Sequence, residues 1–265
     1  CRFFSLLYHI RRVVADLRCF IFVCGKNNCL TKNMTMRIFI RLLLLCLIIS
    51  SCTADKKKYV IGVSQCSEDN WRDKLNGEML QSLYYYDNVE LKIVSAYDND
   101  RRQIAQIDSL VDSGIDLLVV SPNQMNTVTD AIDRAYDKGI PVILFDRKTD
   151  SGKYTAFIGG DNYEVGRVMG NYVASLFGET GGNIVEIQGL KGSSPTIDRH
   201  RGFMDVVSKY PKIRVLGSRY AGWLQDEARV QMDSIISKVD KIDCIYAQND
   251  RMAMGAREAA AKHGL

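Results

Sequence analysis

Ser64-Gln65, Ser121-Pro122-Asn123, Asp146-Arg147 and Gln248-Asn249-Asp250 each close a β-rich apolar run and lead into an amphipathic helix. Their chemistry is hydrogen bonding. Asp146 can accept two hydrogen bonds and Arg147 can donate in a fork, and a bond to a charged group contributes about 1.5 to 3 kcal/mol. An acidic helix cap beside a solvated arginine is the alternative reading of that pair. In an open parallel sheet, ligands bind beyond the carboxyl ends of the strands, so the four groups are expected to gather at one pocket. Signals for catalysis are thin. Gly189-Leu190-Lys191-Gly192-Ser193-Ser194 lies where a phosphate loop would, without the spacing of one, and reads as a loop and helix cap. His9 falls outside the expected fold, which leaves His200 and His263, too little for a metal cluster or a histidine-based triad. No Gly-x-Ser-x-Gly elbow occurs. Neither an enzyme, a metal nor a cofactor is expected in this segment.

These residues need a scaffold, and the hydrophobic pattern supplies one. Strands are predicted at Tyr59–Val63, Leu91–Ser95, Leu117–Val120, Val142–Phe145 and Thr155–Ile158, each a short β-branched or aromatic run bounded by polar residues or glycine. Between them, Ile104, Ile107, Leu110 and Val111 share one helix face, which Ser113-Gly114 ends. Val128, Ile132 and Ala135 share another, stopped by Gly139 and Pro141. A βαβαβαβ series with a parallel sheet follows. In a second series, Asp161 caps a helix with Glu164 three residues on, and Val165, Val168, Met169, Tyr172 and Val173 are expected on its buried side. Strands are predicted at Ile184–Ile187, Val215–Ser218 and Cys244–Ala247, with helices near 196–209, 224–238 and 250–262. Gly159-Gly160 sits between the series, as a crossover with a possible hinge or as an ordinary loop.

At 265 residues and 46% apolar content, the sequence suits one large domain or two lobes of about 100 residues each. The formal charge of +4 is concentrated in the first 58 residues, and nothing in the remainder asks for nucleic acid as a partner. Met36, with Arg37 and Arg41, the apolar run Leu42–Ile49 and Ser50-Ser51-Cys52, reads as a signal peptide over residues 36–52. That run falls short of the roughly 20 residues a bilayer core demands. Ile49-Ser50-Ser51-Cys52 also resembles the lipobox of bacterial lipoproteins, which would lipidate Cys52; a plain signal peptide with an incidental cysteine is the alternative. Residues 1–35 read as a non-native segment upstream of Met36, or else as a leader. Either way the domain is expected to be exported and anchored at the membrane. Cys66 and Cys244 are expected in different lobes as unpaired thiols.

From about residue 58 to 265, the succession Ser121-Pro122-Asn123, Ile140-Pro141-Val142-Ile143-Leu144-Phe145-Asp146-Arg147, Ile158-Gly159-Gly160-Asp161-Asn162, Glu186-Ile187-Gln188-Gly189, Arg199-His200-Arg201-Gly202-Phe203 and Ala247-Gln248-Asn249-Asp250 resembles the type I periplasmic sugar-binding proteins, near the ribose-binding branch. Within that group, Ser64-Gln65-Cys66-Ser67, Asn70-Trp71-Arg72-Asp73-Lys74 and Asn249-Asp250-Arg251-Met252-Ala253-Met254-Gly255-Ala256 look most like the sensor domains of hybrid two-component kinases. The resemblance implies an α/β fold of two Rossmann-like lobes, 58–159 and 160–265, joined by three crossings and closing on a monosaccharide. The third crossing has no counterpart before Leu265, so the second lobe is expected to be incomplete, truncated at its C-terminus. The expected partners are a small sugar, the membrane, and either a kinase module beyond Leu265 or a transporter permease. A sugar-delivering lipoprotein is the alternative function. The ligand core of a cytoplasmic repressor is a remote one, because a signal peptide stands where its DNA-binding segment would be.

By that resemblance, Asp146 and Arg147 bind sugar hydroxyls while Trp71 and Trp223, the only two tryptophans, stack on opposite faces of the ring. Core packing is the other fate open to the tryptophans. Arg199 and Asn249 reach the ligand from the second lobe; a surface charge and a helix cap are their other readings. Arg72 and Ser121 complete the set, with an exposed helix position and a backbone contact near Pro122 as their alternatives. The loop Glu68–Arg72 lacks the proline and paired phenylalanines of the ribose-binding branch, which argues against ribose itself.

Overall fold

The computed structural model describes residues 57–265; the expected leader, signal peptide and Cys52 lie outside the described residues. Strands β1 (Tyr59–Gln65), β2 (Val89–Ser95), β3 (Leu117–Val120), β4 (Val142–Phe145) and β5 (Ala156–Ile158) form one sheet in the order β2-β1-β3-β4-β5. Every neighbouring pair in it is parallel. Helices α1 (Asn70–Ser82), α2 (Asp100–Asp112) and α3 (Thr129–Asp137) connect them. After β5, helix α4 (Asn162–Phe177) leads to a second parallel sheet, β7-β6-β8, from β6 (Gly182–Gln188), β7 (Ile213–Tyr220) and β8 (Cys244–Ala247). Helices α5 (Ser194–Val207), α6 (Gln225–Ile236) and α7 (Asp250–Lys262) flank it. The fold is α/β with two parallel-sheet lobes.

Three strands, β3, β4 and β8, begin and end where the apolar runs do. Others run further. Strand β1 continues through Ser64 and Gln65, both fully buried, in register with Val94 and Ser95 of β2. Polar side chains can extend a buried strand when they find partners. Gln103 Nε2 donates to Ser64 Oγ at 3.3 Å, and Gln65 Nε2 donates to Asn76 Oδ1 at 2.6 Å.

The first sheet's core gathers Ile107, Leu118, Val120, Ile132, Val142 and Leu144. The second sheet has a core on each face: Val185, Ile187, Met232 and Met252 on one, and Val173, Ile184, Phe203 and Tyr246 on the other.

Helix α4 departs from the expectation. Asp161 caps it as foreseen, accepting from Glu164 N–H at 2.9 Å, and Val173 is buried. Val165, Val168 and Tyr172 are exposed, the last two at 54% and 58%. The buried side is instead Gly166, Gly170, Val173 and Ala174, packed on α5. A Cβ on Gly166 would collide with the Arg199 carbonyl, and one on Gly202 with that of Tyr163. Two helices that approach this closely bury their glycines, which a hydrophobic stripe cannot reveal. Gly159 and Gly160 do not adopt positive φ, so the segment between the sheets does not draw on glycine's unusual angles. Among the described residues, the lobes are bridged by hydrogen bonds from Met125 N–H to Gly192 O at 2.9 Å and from Lys148 N–H to Ser194 Oγ at 2.7 Å. Cys66 and Cys244 are both free thiols.

Candidate binding site between the two sheets

Strand β4 delivers Asp146 and Arg147 at its carboxyl end. Asp146 N–H donates to Ile158 O at 2.9 Å, which ties the residue to β5. Its φ of 60° lies in the left-handed region, which Asp tolerates better than most residues and which clusters at functional positions. Arg147 is only 4% exposed. Its Nη1 donates to Asn123 O at 2.8 Å, joining the ends of β3 and β4, and its Nε lies 3.7 Å from Asp146 Oδ2.

Arg72 approaches the same carboxylate from α1. Asp69 caps this helix, its Oδ1 accepting from Arg72 N–H at 2.9 Å. Arg72 is 5% exposed rather than the solvated helix residue its position permits. Its Nη1 donates to Asp69 Oδ2 at 2.7 Å, while Nη2 donates to Asp146 Oδ2 at 3.0 Å and to Cys66 Sγ at 2.9 Å. Burial opposes the charge on Arg72, yet Cys66, Asp146 and Asp69 together hold it more firmly protonated than usual. Burial likewise pushes the Asp69 carboxyl up, but hydrogen bonds and charge from Arg72 outweigh it and leave Asp69 below its usual range. Trp71, in the first turn of α1, is 55% exposed, and its ring centroid lies 5.4 Å from the Arg72 guanidinium carbon.

The second lobe supplies the facing wall. Arg199, on α5, donates from Nε to Asn162 Oδ1 at 2.9 Å and from Nη1 to the Gln248 carbonyl. Burial draws its pKa below the usual guanidinium value, against the opposing influence of Tyr246 and Asp146. The Arg199 guanidinium carbon lies 5.6 Å from the Trp223 ring centroid. Trp223 follows Gly222 in a turn where both have positive φ, 71° and 55°, and its Nε1–H is buried without a protein partner. Asn249 caps α7, its Oδ1 accepting from Met252 N–H at 2.8 Å, and donates from Nδ2 to Trp223 O at 3.3 Å.

Between these walls lies a cavity of about 840 Å³. Trp71, Arg72, Asp146, Arg147, Arg199, Trp223 and Asn249 all line it; Ser121 does not. Ser121 is fully buried, its carbonyl accepting from Gln103 Nε2 at 2.8 Å and its Oγ 3.5 Å from Cys66 Sγ. Asp69, Asp98 and Arg251 line the cavity as well and were not foreseen. Asp98 stands just beyond β2, so the strand-end rule that found Asp146 would have found it. Removal from water pushes the Asp98 carboxyl above its usual value, and the charges of Arg147 and Arg72 oppose this. Asp69 precedes α1 as its cap and Arg251 lies in the first turn of α7, positions that read in the sequence as helix-start residues and not as ligand groups.

The arrangement offers carboxylate acceptors, guanidinium donors and two aromatic faces around an open volume. Among the described residues, no cluster of three or more His, Cys, Asp or Glu could hold a metal ion.

Comparison with known proteins places this geometry. The ribose import binding protein RbsB of Bacillus subtilis (strain 168) is 27% identical over 81% of this chain and 69% of its own length. That of Escherichia coli (strain K12) is 30% identical over 66% of this chain, which spans only 58% of that protein. Among solved structures, the fructose binding periplasmic domain of a hybrid two component system superposes with a TM-score of 0.74 at 47% identity, covering 78% of this chain and 68% of the other. An ABC transporter solute binding protein from Bacillus halodurans C-125, with bound myo-inositol, gives a TM-score of 0.74 at 27% identity, covering 80% and 74%. The family model described as periplasmic binding protein domain runs across residues 61–265, through both lobes and the cavity between them, and the chain belongs to that family.

Proposed function

We propose that the cavity binds a monosaccharide of the ribose or fructose kind in the periplasm. A sugar presents hydroxyls at its edge and C–H faces above and below, and the cavity meets both needs. Asp146, Arg147 and Arg72 act on the hydroxyls from the first lobe, and Arg199 and Asn249 act from the second. Trp71 and Trp223 cover the two faces. The observation that carries the reading is the cavity itself, walled by one tryptophan and charged hydrogen-bonding groups from each lobe.

The role we favour is ligand sensing for a hybrid two-component kinase, supported by the 47% identity to the fructose binding periplasmic domain of such a system. Closure of the lobes on a sugar shifts a signalling equilibrium only as far as the sugar prefers the closed state. Delivery of a sugar to an ABC transporter is the second reading, supported by the likeness to ribose import and ABC solute-binding proteins. Anchoring at the membrane, through Cys52 or a later segment, suits either role; among the described residues no helix is long and apolar enough to cross a membrane.

A thermal-shift screen of the full-length protein with ribose, fructose, xylose, arabinose, galactose and glucose tests the binding claim. A ligand that binds only the native state raises its stability, so at least one ketose or pentose is expected to raise Tm. No shift with any of the six contradicts the proposal. Sugar-dependent phosphorylation of a kinase in the same polypeptide separates sensing from delivery.

A further inference from the structure

Gly189 directly follows β6 and is buried. A Cβ built on it would lie closer than 3.0 Å to three carbons of the Trp223 indole, Cη2, Cζ2 and Cε2, whereas ordinary contact begins at 3.4 Å. Any side chain at position 189 therefore competes with the indole for one space. Its φ is not positive, so the requirement for glycine is this contact and not a backbone angle.

The strand end cannot easily yield. Gly189 N–H donates to Gln248 Oε1 at 3.0 Å, and Gly189 O accepts from Gly222 N–H at 3.3 Å. Gln248 is anchored in turn, its Nε2 donating to Glu186 Oε1 at 3.0 Å. Glu186 is fully buried, and its Oε2 accepts from Ser218 Oγ at 2.8 Å and from Gln188 Nε2 at 2.9 Å. With the backbone clamped on both sides, the indole is the part that must move.

We propose that Gly189 is the seat of Trp223. The missing side chain sets how deep the indole lies in the cleft wall, and Gln248, anchored on Glu186, holds that seat in place. An alanine at 189 displaces the ring by about 1 Å or more. The consequence for ligand affinity rests on the sugar-binding reading above, whereas the seat itself does not.

The seat is tested without ligand. In the 265-residue chain carrying Trp71→Phe, Trp223 is the sole tryptophan. Adding Gly189→Ala is expected to shift its emission to the red and to raise acrylamide quenching about twofold as the ring leaves its packed position. Unchanged emission and quenching overturn the proposal. With Trp71 restored, Gly189→Ala is expected to weaken binding of D-fructose or D-ribose, whichever binds, about tenfold, and to add nothing in a Trp223→Ala background. An equal penalty in both backgrounds also overturns it. Should Gly189→Ala fail to fold, recovery of folding on adding Trp223→Ala supports the seat, and no recovery refutes it. If Trp223→Ala leaves sugar binding intact while the emission moves as expected, the seat stands and the ligand role of Trp223 falls.

Discussion

Asp146 is the residue on which the first lobe's polar wall depends, since its Oδ2 meets Arg72 and lies near Arg147. Replacing it with alanine removes a charged acceptor and leaves the buried Arg72 with one carboxylate fewer. Loss of about 2 kcal/mol, or about thirtyfold in sugar affinity, is expected by titration calorimetry of Asp146→Ala. Asp69 gives an acid signature. Its folded pKa lies below the ordinary value of 3.8, so its stabilising contribution is complete above that value and lost as pH falls through the folded pKa. Denaturant melts between about pH 5 and 2 are expected to show a shallower loss of stability in Asp69→Asn than in the parent; parallel curves contradict this. The place of Asp146-Arg147 at a strand end was legible from the apolar run before it, whereas their reading as ligand groups came from the family resemblance. Arg72 was legible only through family resemblance, because its burial depends on Asp69, Cys66 and Asp146 meeting in space. Ser121 shows the limit of the strand-end rule: Cys66, just past β1, and Gln103 on α2 seal it behind the wall.

Each strand of the two sheets overlapped a predicted apolar run, most completely β3 and β4, which read as continuous hydrophobic stretches as strands of a covered parallel sheet do. Strands β2 and β7 are only partly buried and mix in polar residues. Helix orientation was harder to read. On α4, the apolar residues Val165, Val168 and Tyr172 stay exposed while Gly166 and Gly170 press on α5, because a shared surface of glycines lets the backbones approach more closely than any stripe of larger residues. The two faces should therefore respond oppositely. Gly170→Ala, whose Cβ would meet Val206, is expected to cost about 1 to 3 kcal/mol of stability, and Val168→Gln less than about 0.5 kcal/mol, by urea denaturation. The reverse ranking would restore the face inferred from hydrophobicity. Gly166 meets the Arg199 carbonyl, so this helix contact also positions one wall of the cleft.

For the molecule as a whole, the cavity exists because two similar sheets present their carboxyl ends to each other, with Lys148 N–H bonded to Ser194 Oγ across the lobes. Ser194→Ala leaves that N–H without its partner and is expected to cost about 1 kcal/mol, seen as a lowered Tm in calorimetry; an unchanged Tm contradicts a stabilising bridge. Two lobes were legible from the repeated strand-and-helix series, but the bridge was not, since Ser194 and Lys148 are far apart in sequence and neither carries a motif. The central claim is that a sugar lies between the lobes with one indole on each side. It is tested most directly by a crystal structure of the full-length protein with the sugar that raises its Tm most. The sugar ring is expected between Trp71 and Trp223, with hydroxyls within hydrogen-bonding distance of Asp146 and Arg147; a sugar bound outside this cavity, or touching neither indole, would contradict the account.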